Sequence, residues 1–166
     1  MELRIATNKD IAGLSRCVAT CWKKAYRGLV PQTYLNQLRY DFWEPAYKRW
    51  LADDRIATLC MEQNGEIIAT TTFGDGRDAK LPGWAETMMV FVDPAYKGMG
   101  IGSNMLNTQL RILKKQGFMQ DYVWALGTNT PAIKFYQKHG FRLSGETWDG
   151  QVGGFKVVDV RLVREI

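Results

Sequence analysis

Hydrophobic positions change their period several times along the chain, and each change marks a new element. Leu3-Arg4-Ile5 alternates with polar neighbours and predicts a first strand. Thr7 and Asn8 then offer helix caps. Apolar residues recur after them at Ile11, Leu14, Val18 and Trp22, one face of a helix. Gly28 and Pro31 break that pattern, and shorter helical patterns follow over residues 34–38 and 43–51. Two apolar runs, residues 56–62 and 67–73, flank Asn64-Gly65, whose readiness for positive φ predicts a hairpin. A Gly- and Asp-rich loop covers residues 74–83, and a fourth strand covers residues 84–92, closed by Asp93-Pro94. Leu106, Leu110 and Leu113 share a face of a helix over residues 101–116. Lys114 and Lys115 suit the negative end of that helix, and Gly117 can cap it. A strand over residues 122–126, a short helix opened by Pro131, and strands over residues 141–148 and 155–163 about an Asp149-Gly150 turn complete the chain.

This order predicts a mixed α/β fold. Its sheet is mostly antiparallel, with parallel pairing only where helices cross over. The 166 residues fit one compact domain spanning 1–166, with no repeat, linker or low-complexity tract. Hydrophobic residues at 46% and charged residues at 23% describe a globular chain and exclude a disordered one. Cys17, Cys21 and Cys60 are too scattered for a disulfide framework, and no nearby His completes a metal set around the first two. They are expected as buried reduced thiols, and no metal is expected. Residues 1–4 carry no leader-like apolar run, and no stretch of about 18 apolar residues exists. A soluble, cytoplasmic protein is the expectation. The net charge of +5 suits an anionic ligand without choosing among them, and no basic cluster points to nucleic acid.

The most informative segment follows the fourth strand. Lys97, Gly98, Met99, Gly100, Ile101, Gly102 and Ser103 form a glycine-rich turn running into a helix start. Glycines let a ligand approach the backbone, and the free N–H groups of a first helical turn carry partial positive charge. Together they suit phosphate groups, although a plain helix start with a tight turn has the same outline. A Walker A loop would need Gly-Lys-Ser/Thr at its end, and a Rossmann fingerprint would need Gly-x-Gly-x-x-Gly. The chain supplies Gly-x-Gly-x-Gly, after four strands.

Downstream lies Asn129-Thr130-Pro131-Ala132-Ile133-Lys134-Phe135-Tyr136-Gln137-Lys138-His139-Gly140-Phe141. With the glycine turn, it resembles the GNAT superfamily of acetyltransferases. That family's cofactor signature is Gln/Arg-x-x-Gly-x-Gly/Ala, and its later signature is close to Asn-x-x-Ala-x-x-Phe-Tyr-x-Lys-x-Gly-Phe. The second is matched throughout; in the first, Lys97 stands where Gln or Arg is usual, keeping a cation. The resemblance implies a six- to seven-stranded sheet flanked by about four helices and splayed between its fourth and fifth strands. It implies acetyl-CoA as cosubstrate, direct transfer to a primary amine in a ternary complex, and no metal. It also allows a homodimer.

Several site residues follow from the resemblance. Tyr136 corresponds to the tyrosine that protonates or stabilises the departing CoA thiolate; without the resemblance it reads as a core-edge tyrosine. Asn129 corresponds to a CoA-contacting asparagine, though one placed before Pro131 also suits a helix cap. Val90, Phe91 and Val92 correspond to strand positions whose backbone holds the pantetheine arm and the acetyl carbonyl, where a fixed N–H can stabilise an oxyanion. An ammonium with a reference pKa near 10.4 must lose a proton before it attacks, so a base is needed. Glu86 stands eleven residues before Lys97, a spacing that resembles the branch with a strand glutamate as base, and strict alternation puts it on the face of Met88, Val90 and Val92. Bound water is the alternative base. His139, at a variable motif position, is expected to pack or meet solvent, Asp93 to cap its turn, and Cys60 to stay inert for want of a histidine partner.

The acceptor side is read from aromatics. Residues 22–50 hold eight of the chain's 20 Trp, Tyr and Phe residues, and aromatic faces can hold a cationic amine. Most are expected to pack helices on the sheet, with Trp22, Tyr26 and Trp43 as pocket candidates. The Trp-x-x-x-Tyr-x-Gly-x-x-Pro run resembles branches that include polyamine acetyltransferases, which favours a small amine or polyamine over a protein amine. A catalytically idle CoA-binding sensor or assembly module is the rival reading.

Overall fold

The computed structural model describes all 166 residues. Seven strands form one sheet in the order β1-β2-β3-β4-β5-β7-β6. They are β1 (Glu2–Ile5), β2 (Ile56–Gln63), β3 (Glu66–Asp75), β4 (Ala85–Val92), β5 (Gln120–Leu126), β6 (Arg142–Val152) and β7 (Phe155–Glu165). Five helices cover its two faces: α1 (Ile11–Ala25), α2 (Gln32–Gln37), α3 (Glu44–Leu51), α4 (Ile101–Lys115) and α5 (Thr130–Lys138). All neighbouring strands run antiparallel except β4 and β5, which are parallel, as the crossover through α4 requires. No helix is long and apolar enough to cross a membrane.

Each face has its own core. Leu14, Val18 and Tyr47 of α1 and α3 pack with Met89 and Phe91 on one face. Leu106 and Leu110 of α4 pack with Val90, Val123, Leu162 and Tyr136 on the other. The hairpin between β2 and β3 turns at Asn64, with φ 53°, and Gly65, with φ 80°, as its sequence predicts.

Two expectations are corrected here. The last hairpin does not turn at Asp149-Gly150. Those residues pair with Val158 and Val157, so β6 continues to Val152 and the chain turns at Gly153-Gly154. Both of those glycines have positive φ, which a two-residue hairpin turn demands.

The second correction concerns β4. Strict alternation fails there, because the register with β3 shifts between Thr72 and Phe73: Thr72 opposes Met89, while Phe73 opposes Thr87. Met88 is the extra residue of a bulge, which bends β4 and inverts the faces beyond it. Thr87, Val90 and Val92 therefore turn toward α4. Glu86 instead turns to the opposite face, where Arg77 and Tyr122 enclose it.

Candidate active site

The cleft begins where strand pairing stops. Parallel register between β4 and β5 covers only Ala85 to Thr87 against Asp121 to Val123. Beyond it, residues 88–92 of β4 stay on β3, while β5 follows β7 as far as Leu126 opposite Asp159. Each strand keeps its outer partner, so the inner edges part without unravelling. The bulge at Met88 bends β4 at the place where they diverge. The opening is a cavity of about 850 Å³, lined by both strands, the start of α4, α5, the end of α1 and the β6–β7 hairpin.

On the α4 side, a short 3-10 turn (Pro94–Tyr96) leads into the glycine segment, and Asp93 Oδ1 accepts the Ala95 N–H at 2.9 Å, the capping role expected of it. Gly98 and Gly100 have φ of 84° and 76°, a region costly for other residues. A Cβ on either would meet nothing within 4 Å, so both bare backbones face open space. Gly102 differs: its Cβ would lie 3.3 Å from Phe135 and 3.5 Å from Val92, so it serves the close packing of α4 on α5 and β4. None of the N–H groups of residues 98–103 donates to a carbonyl of the chain. The first bond of α4 runs from Asn104 N–H to Gly100 C=O at 3.0 Å. Six amides are thus free, two in the glycine turn and four at the helix N-terminus, an arrangement suited to a polyanion. Lys97 and Lys138 line the same cavity and add positive charge, and Lys24 lines it paired with Asp93 at 3.4 Å. Met99 turns its side chain outward, 58% exposed. Ile101 and Ser103 line the cavity, Ile101 as part of the core.

Opposite this turn stands α5. Asn129 lines the cavity and also caps α5, its Oδ1 accepting the Ala132 N–H at 3.3 Å. Phe135 and Tyr136 both line the cavity. Burial, with smaller contributions from the charges of Tyr26 and Asp121, pushes the Tyr136 phenol well above its ordinary pKa. It therefore keeps its proton throughout the neutral range. His139 does not line the cavity: its Nδ1 lies 2.8 Å from the Phe135 carbonyl, a packed role. Cys60 is fully buried, and burial pushes its thiol up to about 11.

The other wall is aromatic. Trp22 and Tyr26, one helical turn apart on α1, stack with centroids 4.2 Å apart and planes 3° from parallel. Trp43 approaches Trp22 at 5.4 Å. Ser15 fixes the loop that carries Trp43, since its Oγ accepts the Trp43 N–H at 3.0 Å and donates to the Tyr40 carbonyl at 2.7 Å. Trp22, Tyr26 and Trp43 all line the cavity.

Glu86 does not line it. It sits at the closed end of the cleft, where Arg77 Nη2 and Nε donate to its two oxygens at 2.6 and 2.9 Å and the Tyr122 hydroxyl donates at 2.9 Å. Burial raises the carboxyl's pKa, but the Arg77 bonds and charge, aided by Tyr122, outweigh it and hold the group below its ordinary value. Glu86, the expected base, is held in an ion pair with Arg77.

Among the residues sequence reasoning missed are Lys24 on α1, Lys138 on α5, Trp124 on β5, Trp148 on β6 and Asp159 on β7, all lining the cavity. Asp159 alternates with Val157, Arg161 and Val163 along β7, and an acid followed by a base on that face was the available signal.

The sequence matches the acetyltransferase (GNAT) family over residues 22–141. The chain belongs to that family. The GNAT chain is 26% identical to YuaI, an uncharacterised N-acetyltransferase of Bacillus subtilis, over 98% of this chain and 88% of that protein. It is 24% identical to a spermidine N(1)-acetyltransferase of Thermoplasma acidophilum, over 90% and 92% of the two chains. Its fold is like that of the PaiA N-acetyltransferase of Thermoplasma acidophilum, solved with coenzyme A, with a TM-score of 0.78 over the whole of both chains at 20% identity. The GNAT domain and its named relatives make this chain an N-acetyltransferase.

Proposed function

We propose that this GNAT protein transfers an acetyl group from acetyl-CoA to a small primary amine, with both substrates bound in the cleft at once. One observation carries the reading: five free amides, of Gly98 and residues 100–103, and a protonated tyrosine open onto a single cavity between parted strands. The related fold that holds coenzyme A supports the same donor here.

The residues divide the work. The amides of residues 98–103 fit the diphosphate of CoA, and Lys97 and Lys138 add full charges nearby. A side chain on Gly98 or Gly100 would stand in the open space this ligand needs. The inner edge of β4 at Val90, Phe91 and Val92, unpaired with β5, offers backbone groups to the pantetheine arm and the acyl oxygen. Acetyl-CoA supplies the activated thioester carbonyl. Tyr136 holds a proton at Oη and offers it to the leaving sulfur. Holding the amine against the opposite wall supplies much of the rate gain by orientation. With Glu86 locked to Arg77, the base is a water in the cleft.

Tyr136→Phe tests the assignment. Turnover should fall about 100-fold or more, while CoA affinity measured by calorimetry stays within about twofold. An unchanged rate would remove Tyr136 from the mechanism, and absence of CoA binding by the wild-type chain would remove the cleft from it.

A further inference from the structure

The aromatic wall holds one group that the transfer reaction as described does not use. Asp159 is the only acidic side chain lining the cavity. It is half-buried and forms neither a salt bridge nor a side-chain hydrogen bond. A partly desolvated carboxylate without a counter-charge is unfavourable for the free protein, and a bound cation would relieve it. Burial accordingly pushes its pKa above the ordinary value.

Its surroundings suit a cation. The strand register sets Asp159 directly opposite Trp148 on β6 and Leu126 on β5, so the three side chains share one face. Trp148 lines the cavity although 62% of it is exposed. Tyr26, stacked on Trp22, is close enough for its phenol to feel the Asp159 charge. Among other charged groups, Arg161, two residues along β7 on the same face, is occupied: its Nη1 donates to Asp78 at 2.8 Å, and its guanidinium lies 5.5 Å from the Trp124 ring centre. The lysines of the cavity are Lys24 on α1, Lys97 before the glycine turn and Lys138 on α5.

We infer that Asp159 is the acceptor's anchor: it pairs with an ammonium group of the incoming amine, with Trp148 and Tyr26 beside it, and so selects aliphatic amines that carry positive charge. This rests on the transferase reading and adds to it the charge class of the acceptor. The role is one of specificity; Asp159 makes and breaks no covalent bond.

The test compares wild type with Asp159→Asn, a same-size change that breaks no hydrogen bond, and with Asp159→Glu. Two acceptors are used: 1,4-diaminobutane, doubly cationic at neutral pH, and an aniline, uncharged there. The wild type should prefer the diamine, and Asp159→Asn should cut that preference, as a ratio of kcat/KM values, about tenfold or more through KM. Asp159→Glu should restore part of it. Calorimetric titration with the diamine alone, without any acyl donor, should lose its heat in Asp159→Asn and keep it in the wild type. Equal ratios, or equal diamine binding, in wild type and Asp159→Asn would overturn the inference while leaving the transferase reading intact. If neither amine were acetylated by the wild type, the reaction proposed above would be at fault, and the titration would still decide the role of Asp159.

Discussion

At the scale of single residues, the least ordinary group is Asp121. It is fully buried, its Oδ1 has no hydrogen-bond partner, and its Oδ2 accepts from Thr87 Oγ1 at 2.6 Å. Thr87 Oγ1 also accepts from Gln109 Nε2, and Gln109 Oε1 accepts from Thr71 Oγ1 at 2.5 Å. This chain joins α4 to three strands at the closed end of the cleft, and Asp121 is its acidic end. Burial, opposed in part by the Thr87 bond, pushes the Asp121 carboxyl up to about 7. The sign of the linkage follows. Between pH about 4, where an unfolded aspartate ionises, and pH about 7, the folded chain holds a proton that the unfolded chain has released. Stability contributed here is greatest below that window and falls as pH rises through it, by up to about 1.4 kcal/mol per unit, then levels off. Asp159, raised by its own burial, adds a slope of the same sign. Asp121→Asn should flatten most of the fall, so its melting temperature should gain on the wild type between pH 5 and pH 7.5. Parallel curves for the two proteins would place the titration elsewhere.

At the scale of elements, much was legible because each element has its own periodic or capping signal. The spacing of Ile11, Leu14, Val18 and Trp22 yields α1, Asn64-Gly65 yields the β2–β3 turn, and the two motifs yield the α4 and α5 walls of the cleft. What escaped depends on pairing, which a single sequence does not display. The bulge at Met88 is a mismatch of length between β3 and β4, invisible in the alternation of β4 alone. Trp148 and Asp159 meet the cavity only because β7 inserts between β5 and β6 and brings both onto the open face. The bulge decides the fate of Glu86. With its face inverted, the residue ties β4 to the loop that carries Arg77. Glu86→Gln should therefore act on stability, by about 1–2 kcal/mol, at the low end because the Arg77 side chain is 62% exposed. A melt should show a fall of a few degrees, about 2–4 °C for each kcal/mol. The pH profile of kcat/KM should keep its shape; loss of its acid limb would return Glu86 to catalysis.

At the scale of the whole molecule, the sheet is two half-sheets held by a short seam. β1 to β4 form one and β5, β7 and β6 the other, and only three register pairs of the sheet join them. Cross-strand pairing continues on both outer sides, and the helices bridge the seam from either face. The parted edges cost little in unmet hydrogen bonds, because the backbone groups of residues 88–92 open onto the cavity, where solvent or ligand can reach them. A ligand that fills the cleft would touch β4 and the α4 turn on one half-sheet and α5, Asn129 and Tyr136 on the other. CoA binding should therefore stiffen the seam itself and not merely its own contacts. At about 100 times the Kd, a ligand bound only by the folded chain adds about 2.7 kcal/mol, so the melting temperature should rise by about 5–10 °C. Pantetheine, which lacks the diphosphate, should raise it far less, since it leaves the amides of residues 98–103 unengaged. Hydrogen exchange should slow at residues 88–92 and 98–103 and along β5, with no change at β1, four strands away from β5. Slowing confined to residues 98–103 would mean that the diphosphate binds without coupling the halves. Equal shifts from CoA and pantetheine would mean that the glycine turn contributes nothing to the grip.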